Sequence, residues 1–214
     1  MAKQKGIIKL DGTIGGITFY KTTEDGYLAR EKGGVSADKI ANDPAFQRTR
    51  ENGEEFGRAG KAGKLLRNSI RAMLQNASDS RMVGRLTQKM VEVIQEDLTN
   101  PRGQRNVIDG EAELLEGFEF NINGKLGTTL YAPFTGTIDR VAGTLTANIP
   151  AFVPINMLAA PGGATHFKIV SAGAEVDFEN ETFVIDTQAT AVLPWDSAAT
   201  AVITLVNTVT ANST

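Results

Sequence analysis

Charge is distributed unequally along this chain, and that constrains it more than any other feature. Residues 1–108 hold 19 Lys+Arg against 13 Asp+Glu, a net of +6, while residues 109–214 hold 3 against 12, a net of −9. The whole-chain value of −3 hides this step. Threonine changes at the same place, from 7 residues to 15, and its branched Cβ suits a pleated surface. The chain is therefore read as a basic region, 1–108, with a short β start and helices, and an acidic, Thr-rich β region, 109–214. The expected class is α+β: an N-terminal hairpin and a helical pair, then an antiparallel β-sandwich or jelly-roll-like domain.

Hydrophobic residues are 41% and charged residues 22% of the chain, ordinary values for a folded domain. There is no cysteine, which excludes disulfides, thiolate metal sites and cysteine nucleophiles. The single histidine, His166, leaves no two-histidine metal site. No cofactor is implied. Lys3 and Lys5 precede only Ile7-Ile8, not the apolar run of about 7–15 residues of a secretory signal. No window approaches the roughly 18 apolar residues of a membrane span. The expectation is a cytoplasmic protein, or one built into an assembled particle, without a membrane partner.

Residues 1–34 read as a glycine-punctuated β-meander. Ile7, Ile8 and Leu10 are followed by the turn signal Asp11-Gly12, then by Gly15-Gly16 and Ile17-Thr18-Phe19-Tyr20-Lys21, and a second turn, Asp25-Gly26, leads into Tyr27-Leu28-Ala29-Arg30. A unit this small is not stable alone. It packs on its own domain, or it is an arm that adds strands to a neighbouring subunit through Ile14, Phe19, Tyr20, Tyr27 and Arg30.

Ser36 can cap a helical turn, and Asp43-Pro44 is a helix start with Pro at the first position. A helix is expected from Pro44 to about Asn76, with Phe46, Phe56, Ala59, Gly60, Gly63, Leu66, Ile70, Met73 and Leu74 roughly on one face. Glycines 57, 60 and 63 imply either a break, near Asn52-Gly53, or close approach of another backbone. Arg58, Lys61, Lys64, Arg67 and Arg71 fall on a drifting stripe. It reads as a solvated face, a contact for an acidic protein, or a phosphate-binding stripe, the last lacking interleaved aromatics. A second helix, capped by Asp79 or Ser80, should run to about Leu98 with Met82, Val83, Leu86, Met90, Val93, Ile94 and Leu98 as its stripe, and end before Asn100-Pro101.

In 109–214, Phe118, Phe120 and Ile122 alternate with polar residues, as a half-buried strand does. Further strands are expected at 128–134, 136–141, 144–149, 166–171, 174–178, 182–186 and 201–209, with a loop at 152–163. The last strand lies close to the end of the sequence, where strand exchange is easy.

The residues do not spell out a reaction. The 57–64 stretch has Ala62 where a phosphate-binding loop needs glycine, and Leu65 where it needs Ser or Thr. Glu175, Asp177, Glu179 and Glu181 share a spacing of two and could hold calcium, but Asn180 marks a turn that splits the set; solvated edge carboxylates are the better reading. His166 is read as a partly buried structural histidine, and Trp195 as a loop or core anchor, with an interface contact as the second reading. No catalytic residue is assigned.

The run from Gly12 through Phe19-Tyr20-Lys21 to Arg30-Glu31-Lys32-Gly33-Gly34, followed by Asp43-Pro44-Ala45-Phe46-Gln47-Arg48-Thr49-Arg50, resembles the opening of an uncharacterised group of bacterial, prophage-like proteins. The resemblance implies a particle-forming architecture by analogy alone, and assigns no catalytic or binding residue. Three functions are carried forward. The first is a non-enzymatic structural protein that assembles head to tail with itself, alone or with other particle proteins. The second is a nucleic-acid-associated protein using the basic helix. The third is a carbohydrate-binding or enzymatic β domain.

Overall fold

The computed structural model describes residues 2–212 and shows a mixed α+β chain. It divides into two compact units, 1–50 and 51–214. The charge step at 108/109 thus lies inside the second unit.

The first unit is a four-stranded antiparallel sheet followed by short helical turns. Strands β1 (Ala2–Lys3), β2 (Gly12–Ile14), β3 (Ile17–Thr22) and β4 (Gly26–Glu31) take the order β1-β4-β3-β2. Gly15 and Gly26, at φ +58° and +75°, make the two hairpin turns, since this left-handed region is cheap only for glycine. The first turn is therefore at Gly15-Gly16; Gly12, expected in a turn, opens β2 instead. Helix α1 (Ala37–Asn42) is capped by Ser36, whose hydroxyl accepts from Lys39 N–H at 3.2 Å. Asp43 caps a 3₁₀ turn (Pro44–Phe46) through Ala45 N–H at 2.9 Å.

Helix α2 (Gln47–Ser69) continues without interruption through Asn52-Gly53, where a break was expected. Tertiary packing overrides glycine's propensity. Gly53, Gly57 and Gly60 face open space, but an added Cβ at Gly63 would lie 3.6 Å from Leu86 Cγ. That is ordinary side-chain contact, so none of glycines 57, 60 and 63 admits another backbone. The buried face of α2 is small and polar (Glu55, Ala59, Ala62, Gly63, Ser69), while Phe56 is exposed. Ile70 leaves helical geometry and the single turn α3 (Arg71–Leu74) follows, so the helix stops short of Asn76.

Helix α4 (Met82–Gln95) buries Met82, Leu86, Met90, Val93 and Ile94, one face at 3–4-residue spacing. With Ala59, Ala62 and Val107 they form the first core. Val83 and Leu98, expected in this stripe, are exposed. Leu98 lies past the helix because buried Asp97 turns the chain there, accepting from the N–H groups of Thr99, Asn100 and Asn106 at 2.8–3.0 Å.

Residues 118–122 do not form the expected strand. The alternation is real: Phe118 and Phe120 pack on the first core, with ring centroids 5.0 Å apart, and Ile122 faces outward. The backbone, however, bonds to side chains: Ile122 N–H donates to Asp79, and Glu119 C=O accepts from Arg85. The turn α5 (Leu126–Thr129) takes the first two positions of the strand expected at 128–134, of which Leu130 makes a single antiparallel bridge, to Leu158.

The remaining strands build small antiparallel sheets around a second core of Leu130, Ala132, Ile149, Phe152, Ile203 and Leu205. These are β5 (Thr135–Asp139), β6 (Thr144–Ile149), β7 (His166–Phe167), β8 (Val170–Asp177), β9 (Thr182–Ala189), β10 (Leu193–Pro194) and β11 (Ile203–Thr208), with the turn α6 (Pro154–Met157) after β6. One sheet runs β11-β6-β5, a hairpin joins β8 to β9, and a short pair joins β10 to β7. Along β11, Ile203, Leu205 and Asn207 point inward. Asn207 is 2% exposed and fully bonded: its amide donates to the carbonyls of Ser171 and Asp186 and accepts from Ser171 Oγ. It ties the β8–β9 hairpin to the three-stranded sheet. Gly173 permits the contact, since a Cβ there would come within 2.7 Å of Asn207 Cβ.

Candidate functional site

In the first unit, antiparallel register assigns the side chains to faces. Directly opposed residues share a face, so Ile14, Ile17, Phe19, Lys21, Tyr27 and Ala29 lie on one side. Thr13, Thr18, Tyr20, Leu28 and Arg30 lie on the other. On the first face the ammonium groups of Lys21 and Lys9 stand 5.4 and 5.9 Å from the Tyr27 ring centre. On the second, the Arg30 guanidinium stands 5.4 Å from the Tyr20 ring centre. The sheet thus joins apolar groups to cations over aromatic rings.

All residues of the two described cores belong to the second unit; Leu28 is the first unit's one buried hydrophobic side chain among the described residues. Ile14 and Ile17 are exposed on the first face. Ile7 and Ile8, between β1 and β2, are 101% and 81% exposed. The Gln4 side chain holds the backbone around this segment, accepting from Leu10 N–H at 2.9 Å and donating to Leu28 C=O at 2.9 Å.

The basic stripe of α2 is divided. Arg58 turns onto the carbonyls of Gly103 and Arg105 at 2.6 and 3.1 Å, and Arg67 bonds Gly63 C=O at 3.1 Å. Lys61, Lys64 and Arg71 remain exposed. The reason lies in the loop after Asp97. Buried Glu55 accepts from Gly103 N–H and from both Nε and Nη2 of Arg105, each at 2.8 Å. Arg105 in turn holds the Glu55 carboxyl below its ordinary pKa. For Asp97, burial pushes the pKa upward, but the hydrogen bonds from Asn100, Asn106 and Thr99 outweigh it and bring it to about 2. Asp79 is lowered chiefly by Ile122 N–H. These groups lock a loop; they do not converge on a cleft.

Several acidic residues of 109–214 likewise accept backbone N–H groups. Asp177 accepts from Glu179 and Asn180 N–H, and its own hairpin turn thereby splits it from Glu181. Asp139, Asp196 and Asp186 accept from the N–H groups of Ala142, Ala198 and Thr208. Asp177 and Asp186 are held below the ordinary range, first by the Asn180 N–H and the Gln188 amide respectively. Among the described residues no three His, Asp or Glu side chains are placed to hold a metal. His166 is exposed, not partly buried, because its two-residue strand pairs only with Leu193-Pro194; its Nδ1 lies 2.9 Å from Thr165 Oγ1. Trp195 is half-buried and donates its indole N–H to Leu158 C=O at 3.1 Å, the contact of an internal anchor.

A cavity of about 210 Å³ is bordered by Arg58, Lys61, Leu65, Val107, Phe178 and Glu181. It is below the roughly 300–1,000 Å³ usual for small-molecule sites. No described helix is long and apolar enough to cross a membrane. Compared with family models, with curated proteins and with solved structures, the chain matches none.

Proposed function

We propose that this protein is a non-enzymatic structural component that assembles with copies of itself, the first unit serving as the adhesive arm. One observation carries the reading: a four-stranded sheet that exposes Ile14 and Ile17, beside exposed Ile7 and Ile8, in a unit that contributes no residue to either described core. Uncovered apolar side chains on one patch are a surface for association. Charge adds direction. Residues 1–50 carry 9 Lys+Arg and 6 Asp+Glu, a net of +3, against −9 for residues 109–214. The ion pairs described join residues within 3–105, so they do not cancel the acids at 109, 139, 177, 186 and 196. A cationic surface meeting an anionic one on the next copy gives a head-to-tail contact, which closes into a ring or runs on as a filament. Opposite charge sets orientation and encounter rate; the isoleucines supply affinity.

The nucleic-acid reading is weaker, since Arg58 and Arg67 are turned onto carbonyls and three exposed cations remain of the five. Light scattering over a salt series tests the proposal. Association at low salt that weakens as salt rises is the expected result. A strict monomer at high concentration and low salt overturns it.

A further inference from the structure

The second unit leaves one strand edge open. Strand β5 closes the β11-β6-β5 sheet, all five of its residues are exposed, and no described strand pairs with its outer side. The devices that usually blunt such an edge are missing from it. Five residues is an ordinary strand length, and there is no lysine and no proline. The register with β6 runs without a bulge from Thr135 opposite Asn148 to Asp139 opposite Thr144. The one charge, Asp139, sits at the end and accepts from Ala142 N–H. The opposite edge of the sheet is treated differently: on β11, Thr208 N–H is taken by the Asp186 carboxylate at 2.9 Å.

Ladder alternation fixes which groups of β5 face outward. Val209 N–H donates to Gly143 C=O, one step beyond the pairing of Thr208 with Thr144. In an antiparallel pair, residues that exchange bonds alternate with residues that do not. Leu145, Ala147 and Ile149 of β6 therefore bond to β11, and Thr144, Thr146 and Asn148 bond to β5. The Thr208 N–H, which turns away from β6 to reach Asp186, agrees with this alternation. Thr135, Thr137 and Asp139 thus aim their amides and carbonyls at β6, and Gly136 and Ile138 present theirs to the open side.

We propose that β5 pairs antiparallel with β5 of a second copy, across a two-fold axis at Thr137. The strand is self-complementary in that register. Laid full length against itself, it sets Gly136 opposite Ile138 and Ile138 opposite Gly136, the two residues of the strand whose backbone groups face outward. They exchange four N–H to C=O bonds. The Ile138 side chain, 68% exposed, comes to lie beside a glycine, where a Cβ would meet nothing within 4 Å. Asp139 falls opposite Thr135, so like charges are not opposed. Two three-stranded sheets become one of six. This contact goes beyond the head-to-tail reading: it uses the second unit alone and is the same patch on both copies.

The cysteine-free sequence makes the test clean. Thr137→Cys puts a thiol on the axis, where the Cα atoms of a non-hydrogen-bonded pair stand about 4.5 Å apart, within disulfide reach. Thr135→Cys is the control, equally exposed, but its two copies would stand about 13 Å apart. Under mild oxidation of the full-length proteins, Thr137→Cys should link into dimers several-fold faster than Thr135→Cys. Equal rates overturn the pairing. Adding Ile138→Lys to Thr137→Cys should cut the linked dimer several-fold with an unchanged circular dichroism spectrum; an undiminished yield also overturns it. Dimers that grow no further by light scattering support this contact and overturn the head-to-tail one. Larger assemblies in which Thr137→Cys stays unlinked overturn this contact alone, and a strict monomer overturns both.

Discussion

The sheet of the first unit and the β11-β6-β5 sheet of the second begin from similar material. Both are antiparallel, built of short strands with alternating side chains. They differ in what becomes of the apolar face. In β11, Ile203 and Leu205 are under a tenth exposed; in β2 and β3, Ile14 and Ile17 are 63% and 46% exposed. The same chemistry acts as mortar where a second layer covers it, and as an uncovered adhesive where none does. Strand propensity alone therefore says little about stability; the covering layer decides.

The largest expected effect breaks the contrast directly. Met90→Ala empties a fully buried site and should cost about 2–5 kcal/mol in urea unfolding. Ile14→Ala should cost less than about 0.5 kcal/mol and act on association instead. Equal losses in the two variants would erase the distinction between the units. Next comes Gly110→Ala. A Cβ there would lie 2.3 Å from Val93 C=O, so about 1–3 kcal/mol should be lost, read as a lower thermal midpoint.

Acid sharpens the contrast further. Asp97 has a folded pKa of about 2 against an ordinary 3.8, so the unfolded chain takes up the proton first. Its contribution is whole above about pH 4 and is lost as pH falls toward 2, with Glu55 acting in the same direction. Asp97→Asn should flatten the fall in stability across that window, measured by urea midpoints at stepped pH; an unchanged slope would refute the assignment. The smallest effect has the opposite sign. Gly60→Ala, helical and facing open space, should stabilise by about 0.5–1 kcal/mol.

What could be read from the sequence was local. Ser36 and Asp43-Pro44 mark helical starts because a cap and its recipient N–H are two or three residues apart. Asp25-Gly26 marks its hairpin for the same reason. Arg58 could not be resolved: its carbonyl partners lie 45 and 47 positions later. The 118–122 alternation gives the correct sidedness but not the partner, which is a helix with polar side chains, not a strand. Ile7, Ile8 and Leu10, read as the opening of the β-meander, lie between β1 and β2 in no strand.

Asn207 carries a consequence for how the chain finds its fold. A shift of β11 by two residues would keep its alternation intact and satisfy every purely hydrophobic criterion. It would also bring Leu205 or Val209 to the place where Ser171 and Asp186 need an amide, and carry that amide elsewhere. One buried side chain thus works as a lock with a single fitting key, rejecting near-native mispairings that oil-like packing would accept.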